Sequence, residues 1–204
     1  MKKVEKMHVL AIDVSVNGCS VAILNTETSA FYQKRMETDR GQAEFLIPMV
    51  ENVVQEANLT MKEIGSIVVT RGPGSFTGVR IGLATAKTLG LALNIPVLGL
   101  STLDVIARVY PDNQHTLFLI DTKRDDFYGQ VGEGTDPKIW SMEDVENYQG
   151  SIIKDIVPDI LTLAKMGAEK YMGQTGYDPS IAPTPLYLRE AEVSESKKKV
   201  LNIL

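Results

Sequence analysis

Short apolar runs separated by turn residues open the chain and predict three β-strands, at residues 8–14, 19–25 and 30–36. Asn17 and Gly18 lie between the first two runs, and both tolerate the positive φ that a tight hairpin turn requires. We therefore expect the first two strands to pair as a hairpin.

Apolar and small residues at three- and four-residue steps predict a helix over residues 43–57. A buried-type strand follows at 66–70. A second helix is predicted over 77–93, and after it come a strand at 97–100 and a short helix that Ser101 caps. The first half therefore combines a sheet with helices that can pack on it.

The second half begins again with strands. Three are predicted, at residues 116–122, 127–132 and 138–141, and they are followed by a short helix at 142–148 and a longer one at 156–172. Both halves therefore place three strands ahead of their helices, although the two halves share almost no sequence identity.

An Ile-Asp pair ends the first strand of each half and places Asp13 and Asp121 at equivalent positions. Together with the repeated order of elements, this predicts two related lobes, each a mixed sheet packed with helices. We expect an N-terminal lobe at residues 1–101 and a smaller C-terminal lobe at 102–204. The order is typical of the two-lobed actin-like ATPase fold.

In that fold, one strand-turn-strand hairpin from each lobe clamps the ATP phosphates, and small residues let backbone N–H groups approach them closely. The first hairpin fits, because Asp13, Ser15, Asn17 and Gly18 are small or polar. The second does not, because residues 123–126 read Lys-Arg-Asp-Asp. One half of the clamp is therefore expected to be lost. Asp13 is then either a remnant ligand contact or a turn-capping residue.

The stretch RGPGSFTGVRIGLATAKTLG, residues 71–90, carries a second signal. It lacks the Gly-Lys-Ser/Thr of a P-loop. It does place a small residue at every fourth position of a predicted helix, where each glycine costs roughly 1 kcal/mol relative to alanine. This small-residue track consists of Gly74, Gly78, Gly82, Ala86 and Gly90.

Small residues at helical spacing let another backbone approach closely. We expect the track to face a partner helix, because Arg80, Thr85, Lys87 and Thr88 make the same helix too polar for complete burial. Two alternatives remain open. The track can instead pack inside its own lobe, or the helix start can contact an anion, and a remnant anion or nucleotide site would consist of Asp13, Ser15, Arg71, Gly74 and Arg80.

Composition narrows the function further. The 204 residues carry a formal net charge of -5, which argues against binding nucleic acid without a partner. The single cysteine, Cys19, fits a reducing cytoplasm, and no apolar run is long enough for a membrane span or a signal-peptide core. His8 and His115 are far apart, so neither a two-histidine metal motif nor a Ser-His-Asp peptidase site can be assembled from them.

The signature stretch closely resembles that of the bacterial TsaB (YeaZ) family. The resemblance extends to AIDVS, LIPMVENVV, PVLGLSTLDVIA, LIDTKRDDFYGQV and the terminal PLYLR, and so covers most of the chain. The sequence departs from the family at Gln42, where a histidine is common. It is also short between Tyr148 and Pro158, so the C-terminal lobe is expected to be trimmed.

The resemblance implies the actin-like fold without catalysis. It implies a subunit that pairs with TsaD, and works with TsaE, to make N6-threonylcarbamoyladenosine next to the anticodon of tRNA. ATP and metal are then expected in the partner subunits and no cofactor in this chain, with tRNA reached only through the complex. A standalone actin-like ATPase or kinase, or a glycoprotease-type peptidase, is the alternative.

The resemblance also implies that the two predicted helices of the first lobe form a four-helix bundle with TsaD, or with a second copy of the chain. Taken with the small-residue track, this gives a set of expected partner-binding residues: Ala43, Leu46, Ile47, Val50, Val54, Gly78, Ile81, Gly82, Thr85 and Leu89.

Overall fold

The computed structural model describes residues 7–38, 40–154, 156–171 and 176–189 and contains two β-sheets. In the first sheet the strand order is β3-β2-β1-β4-β5, with β1 antiparallel to β2 and parallel to β4. Its strands are β1 (His8–Asp13), β2 (Cys19–Asn25), β3 (Phe31–Met36), β4 (Ile64–Thr70) and β5 (Val97–Leu100).

The second sheet repeats this arrangement over four strands. Its order is β8-β7-β6-β9, with β6 antiparallel to β7 and parallel to β9. The strands are β6 (Thr116–Asp121), β7 (Asp126–Val131), β8 (Lys138–Ser141) and β9 (Ser151–Lys154). The repeat confirms the predicted pair of helix-packed mixed sheets. Strand β9 was not predicted, because it is four residues long and lies in the segment that we took for a trimmed connection.

Within the described residues, five α-helices pack on these sheets. They are α1 (Gln42–Glu56), α2 (Phe76–Leu93), α3 (Thr102–Arg108), α4 (Met142–Glu146) and α5 (Ile160–Lys170). Helices α1 and α2 cover one face of the first sheet through a core that includes Leu46, Val53 and Leu83. Helix α5 lies within the predicted range 156–172, and Asp159 caps its start by accepting a hydrogen bond from the Thr162 amide at 2.7 Å.

Helix α5 belongs by chain order to the second half, but it packs on the first sheet. Its buried residues Leu163 and Met166 join Val9 and Val68 in one core on the face opposite α1 and α2. A Cβ atom added to Gly167 would lie 2.7 Å from the Cβ of Val68, so the contact requires glycine. The division into two lobes at residue 101 stays a prediction. Although α5 comes after residue 101, it completes the core of the first sheet.

The small-residue track packs against the chain's own first sheet. A Cβ atom added to Gly78 would overlap the carbonyl oxygen of Val14, and one added to Gly82 would lie 3.3 Å from the Val14 Cγ2 atom. Gly90 has equally little space beside Val97. We expected the track to face a partner; the structure instead supports the alternative of packing within the lobe.

The described residues near the C-terminus, 176–189, form a segment that we call the C-terminal strap. The amide of Leu186 donates to the carbonyl oxygen of Arg71 at 2.7 Å, which ties the strap to the signature stretch. Arg189 then forms an ion pair with Asp126 at the start of β7. The strap therefore joins the two sheets. The charged run EAEVSESKKK, residues 190–199, follows the strap; its sequence predicts a solvated end, with a binding tail as the alternative, and it lies outside the described residues.

No helix among the described residues is long and apolar enough to cross a membrane.

Replacing Gly78 by alanine tests the packing of α2. The change improves helix propensity by about 1 kcal/mol, but the added methyl group meets backbone that cannot move aside. We expect a net destabilisation of about 1–3 kcal/mol, typical of overpacking, in urea unfolding. Thr88→Ala, on the exposed side of α2, is the matched control and should leave stability equal or slightly higher. A Gly78→Ala protein more stable than wild type would contradict the close approach.

Candidate functional site

The turns of the two predicted phosphate hairpins face each other across a cleft of about 580 Å³. Asn17 and Gly18 contribute from the β1–β2 turn, with φ of 47° and 107°, and Lys123 contributes from the β6–β7 turn with φ of 61°. The rest of the lining is mostly polar on the first side and partly apolar on the second: Val14, Ser15, Val16, Thr38, Gln42, Ser75, Leu119, Ile120, Asp121, Thr122, Ile156 and Val157.

Asp13, the candidate ligand of the first hairpin, is buried beneath the cleft. Its Oδ1 atom accepts hydrogen bonds from the Ser15 amide at 3.1 Å, the Ser15 hydroxyl at 2.5 Å and the Thr70 hydroxyl at 2.6 Å. Burial raises the pKa of the Asp13 carboxyl, and these three hydrogen bonds partly oppose the shift. This is the geometry of a turn-capping aspartate that also joins β1 to β4.

Asp121, the counterpart of Asp13 in the second hairpin, contacts a residue of its own turn. The Lys123 amide donates to Oδ1 at 2.6 Å, and the Lys123 ammonium lies 2.9 Å from Oδ2. These contacts lower the pKa of the Asp121 carboxyl. Lys123, one of the bulky residues of the second turn, therefore places a cation on the Asp121 carboxylate in a largely exposed ion pair.

Side chains that could bind a metal ion do not cluster in the described part of the chain. The described residues contain no group of three or more His, Cys, Asp or Glu side chains that could hold a metal ion. His8 lies at the first sheet. Its Nε2 atom is 3.1 Å from the side-chain Nδ2 atom of Asn25, and its Nδ1 atom is 3.2 Å from the backbone carbonyl oxygen of Glu63.

The structure brings together only part of the expected anion site. Gly74 lies against Ser15, since an added Cβ atom would overlap the Ser15 carbonyl oxygen, and Asp13 is bonded to the same serine. Arg71 is half-buried under the C-terminal strap. Arg80 is exposed on α2 and is engaged with two aromatic rings.

The expected partner-binding residues divide by burial. Ala43 and Ile47 are exposed, and Ile81, Thr85 and Leu89 are half-buried, so these five remain accessible. The other five lie inside the chain's own core because α1 and α2 turn these positions toward the first sheet. They are Leu46, Val50, Val54, Gly78 and Gly82, and we correct their assignment from partner contacts to core packing.

The accessible surface of α1 and α2, which we call the outer helix face, includes apolar residues that sequence reasoning missed. Phe45 is 39% exposed and Leu91 is 66% exposed. On α2 an exposed line runs at four-residue steps, displaced by two residues from the glycines and therefore on the opposite side of the helix. This offset was a signal in the sequence, and the line consists of Phe76, Arg80, Ala84, Thr88 and Ala92.

Two sheets with a repeated strand order, and a cleft between their paired hairpins, define a protein of the actin-like ATPase fold class. Comparison with known proteins gives the family. The domain family described as TsaD: tRNA N6-adenosine threonylcarbamoyltransferase matches residues 36–148. The chain is 33% identical over 143 residues to the tRNA threonylcarbamoyladenosine biosynthesis protein TsaB of Escherichia coli, and 31% identical over 157 residues to that of Bacillus subtilis.

These alignments cover 69% and 75% of this chain but 61% of each relative. For the TsaB protein of Buchnera aphidicola, 35% identical over 100 residues, the shares are 49% and 47%. The chain thus aligns with only about half to three fifths of the length of these relatives. The structure called YeaZ from Pseudomonas aeruginosa superimposes with a TM-score of 0.75 at 25% identity, over 89% of this chain and all of that one. The chain belongs to the TsaB (YeaZ) family.

Asp13→Asn tests the buried carboxyl. Its raised pKa means that the folded state holds the proton more tightly than the unfolded state, so wild-type stability falls as pH rises through the folded pKa. Asparagine keeps the acceptor oxygen and never ionises. We expect the variant to unfold at higher urea than wild type at neutral pH. The difference should shrink as pH falls through the folded pKa and disappear below the ordinary value of 3.8. A variant less stable than wild type at neutral pH would show that the hydrogen bonds outweigh burial.

An ATP hydrolysis assay tests the expected loss of one half of the phosphate clamp. Because Asp13 is engaged by Ser15 and by Thr70 of β4, and Asp121 by Lys123, the purified chain with Mg²⁺ and ATP should release no phosphate above background. A sensitive phosphate-release assay makes the measurement. Steady turnover by wild type that disappears in Asp13→Ala would overturn the expectation and favour a standalone ATPase.

Proposed function

We propose that the chain is a non-catalytic subunit that pairs with a TsaD homologue in forming N6-threonylcarbamoyladenosine next to the anticodon of tRNA. The names of the TsaB relatives and of the matching domain family support this step in tRNA biosynthesis. In the proposal, ATP and metal bind in the partner subunits, a TsaE homologue acts in the same complex, and the chain works in the cytoplasm.

The observation that carries the non-catalytic part is the state of the cleft carboxylates. The Oδ1 atom of Asp13 accepts hydrogen bonds from Ser15 and Thr70, and Asp121 is paired with Lys123. An active phosphoryl-transfer site needs carboxylates free to hold a metal ion or to orient a nucleophile. A metal ion at either carboxylate would have to compete with these contacts, which supports the non-catalytic part of the proposal.

The outer helix face supports the pairing. Ile47 is 41% exposed and lies on α1 with Phe45, while Leu91 extends the apolar surface on α2. Between them, Ala84 and Thr88 provide small exposed positions where partner helices can come close. The face offers the partner two adjacent helices, which is half of a four-helix bundle.

The exposed charges of this face differ between its helices. Helix α2 carries Arg80 and Lys87 and no acidic residue, whereas α1 carries Glu44 and Glu51. A partner whose helices carry the opposite arrangement would match both. A second copy related by a two-fold axis would also match, so the homodimer competes for the same face. With a net charge of -5, tRNA is reached through the complex rather than by this chain alone.

Ala84→Arg tests the face. The arginine points away from the first sheet, so the variant should fold and melt like wild type, but a long charged side chain in the centre of the contact should weaken the complex with co-purified TsaD by roughly a hundredfold or more. Analytical gel filtration with titration measures the effect. Glu146→Arg, on exposed α4, is the control and should bind normally.

Gly82→Arg is the matched core variant, because Gly82 is buried whereas Ala84, two residues away, is exposed. It should unfold the chain, because the added side chain meets Val14 and Val69. Wild-type binding of TsaD by a folded Ala84→Arg protein would reject the outer helix face as the interface. Failure of wild type to bind TsaD under any condition would reject the proposed function itself.

A further inference from the structure

An exposed arginine near the start of α2 lies against a pair of neighbouring aromatic rings. The guanidinium carbon of Arg80 lies 3.7 Å from the ring centroid of Phe76 and 5.5 Å from that of Tyr187. Its Nε–H donates to the Tyr187 hydroxyl at 2.6 Å. The rings are 5.5 Å apart, and about half of each aromatic residue is exposed. We call this group the arginine cluster.

The C-terminal strap fixes the outer ring of the arginine cluster. Tyr187 directly follows Leu186, whose amide is bonded to the backbone of Arg71, and it lies two residues before Arg189, which is paired with Asp126. Tyr187 is therefore held on both sides along the chain. Because the ring and the Nε bond restrict Arg80 in turn, much of its rotamer entropy is already lost before any ligand binds.

Arg80 nevertheless has no counter-charge within the described part of the chain. Among these residues it contacts the two rings and the tyrosine hydroxyl, and α2 contains no acidic residue. The terminal nitrogens of the guanidinium make no hydrogen bond to the described residues. Two parallel N–H donors on a fixed, planar guanidinium match the two oxygens of one carboxylate.

We propose that the arginine cluster binds a carboxylate of the partner protein, at the N-terminal end of α2 on the outer helix face. The inference rests on the proposed pairing with TsaD, and it adds the chemistry of one contact and a role for the C-terminal strap. In this arrangement Arg80 makes the bidentate ion pair, Phe76 and Tyr187 supply exposed contact area, and the strap holds Tyr187 in place.

A protein carboxylate fits the surroundings better than an RNA phosphate does. The chain is acidic overall, and Glu44 and Glu51 are exposed on the neighbouring helix α1, which disfavours a phosphate backbone. The cluster is continuous with the exposed Ala84 and Thr88 of the same helix line. Arginine with exposed aromatic residues is also the composition enriched at the energetic centres of protein interfaces.

The test is a titration of TsaD from the same organism against wild type, Arg80→Ala, Arg80→Lys and Tyr187→Phe, at low and at physiological salt. Lys165→Ala, which removes an exposed cation on α5 across the first sheet, is the matched control. We expect roughly a thirtyfold weaker complex for Arg80→Ala, incomplete rescue by Arg80→Lys because lysine lacks the fork, and a smaller loss for Tyr187→Phe. Thermal melting of all four variants should stay near wild type.

The salt dependence of TsaD binding separates an ion pair from a merely structural role of Arg80, because a structural role would leave it unchanged. If Arg80 pairs with a carboxylate, the affinity of Arg80→Ala for TsaD should depend less on salt than that of wild type. Should one Arg80 variant fold poorly, Tyr187→Phe still tests the geometry, because it removes only the hydroxyl that fixes Nε.

The outcomes separate the two proposals. A wild-type chain that does not bind TsaD sinks the proposed function, and this inference with it. Wild-type binding that Arg80→Ala, Arg80→Lys and Tyr187→Phe all leave unchanged sinks the inference alone. Fluorescence anisotropy with tRNA adds the competing occupant: if Arg80→Ala weakens tRNA binding and leaves TsaD binding intact, the cluster is a phosphate contact and the carboxylate assignment is wrong.

Discussion

The close approach of α2 to the first sheet is the constraint on which the remaining surface depends. Gly78 lies so near the backbone of Val14 that a methyl group does not fit between them, and Gly82 and Gly90 continue the contact. Helix α2 is thereby held in one rotation about its axis. Because the glycines face inward, the positions displaced by two residues, Arg80 and Ala84 among them, must face outward. One packing requirement therefore fixes the core and defines the outer helix face.

The duplicated sheets give the molecule a cleft, but the two hairpins that border it have separate local roles. Asp13 is buried and joins β1 to β4 through Thr70, while Asp121 is held by Lys123 of the same turn. Both carboxylates make these contacts with other residues of the same chain. The fold thus keeps the shape of an ATPase cleft while its carboxylates stabilise turns, which agrees with a subunit whose work is done at another surface.

Two segments from the second half of the chain complete the first. Helix α5 covers the face of the first sheet that α1 and α2 leave open, with Gly167 packed on Val68. The C-terminal strap crosses the signature stretch and brings Tyr187 to Arg80. The strap also links the two sheets, because Arg189 pairs with Asp126 of β7. The surface proposed for the partner contains Tyr187, which is 107 positions after Arg80 in sequence.

The sequence by itself determined the strands and helices of the first half, the hairpin at Asn17, the repeated lobe order and the family, because hydrophobic periodicity, turn residues and a specific signature are local properties. It did not determine which side of α2 faces the sheet. A line of glycines shows that some backbone comes close, but spacing along one helix is the same whether the neighbour is its own sheet or another protein. Strand β9, the place of α5 and the meeting of Arg80 with Tyr187 were decided only by tertiary structure, since each depends on contacts between distant segments that no local pattern encodes.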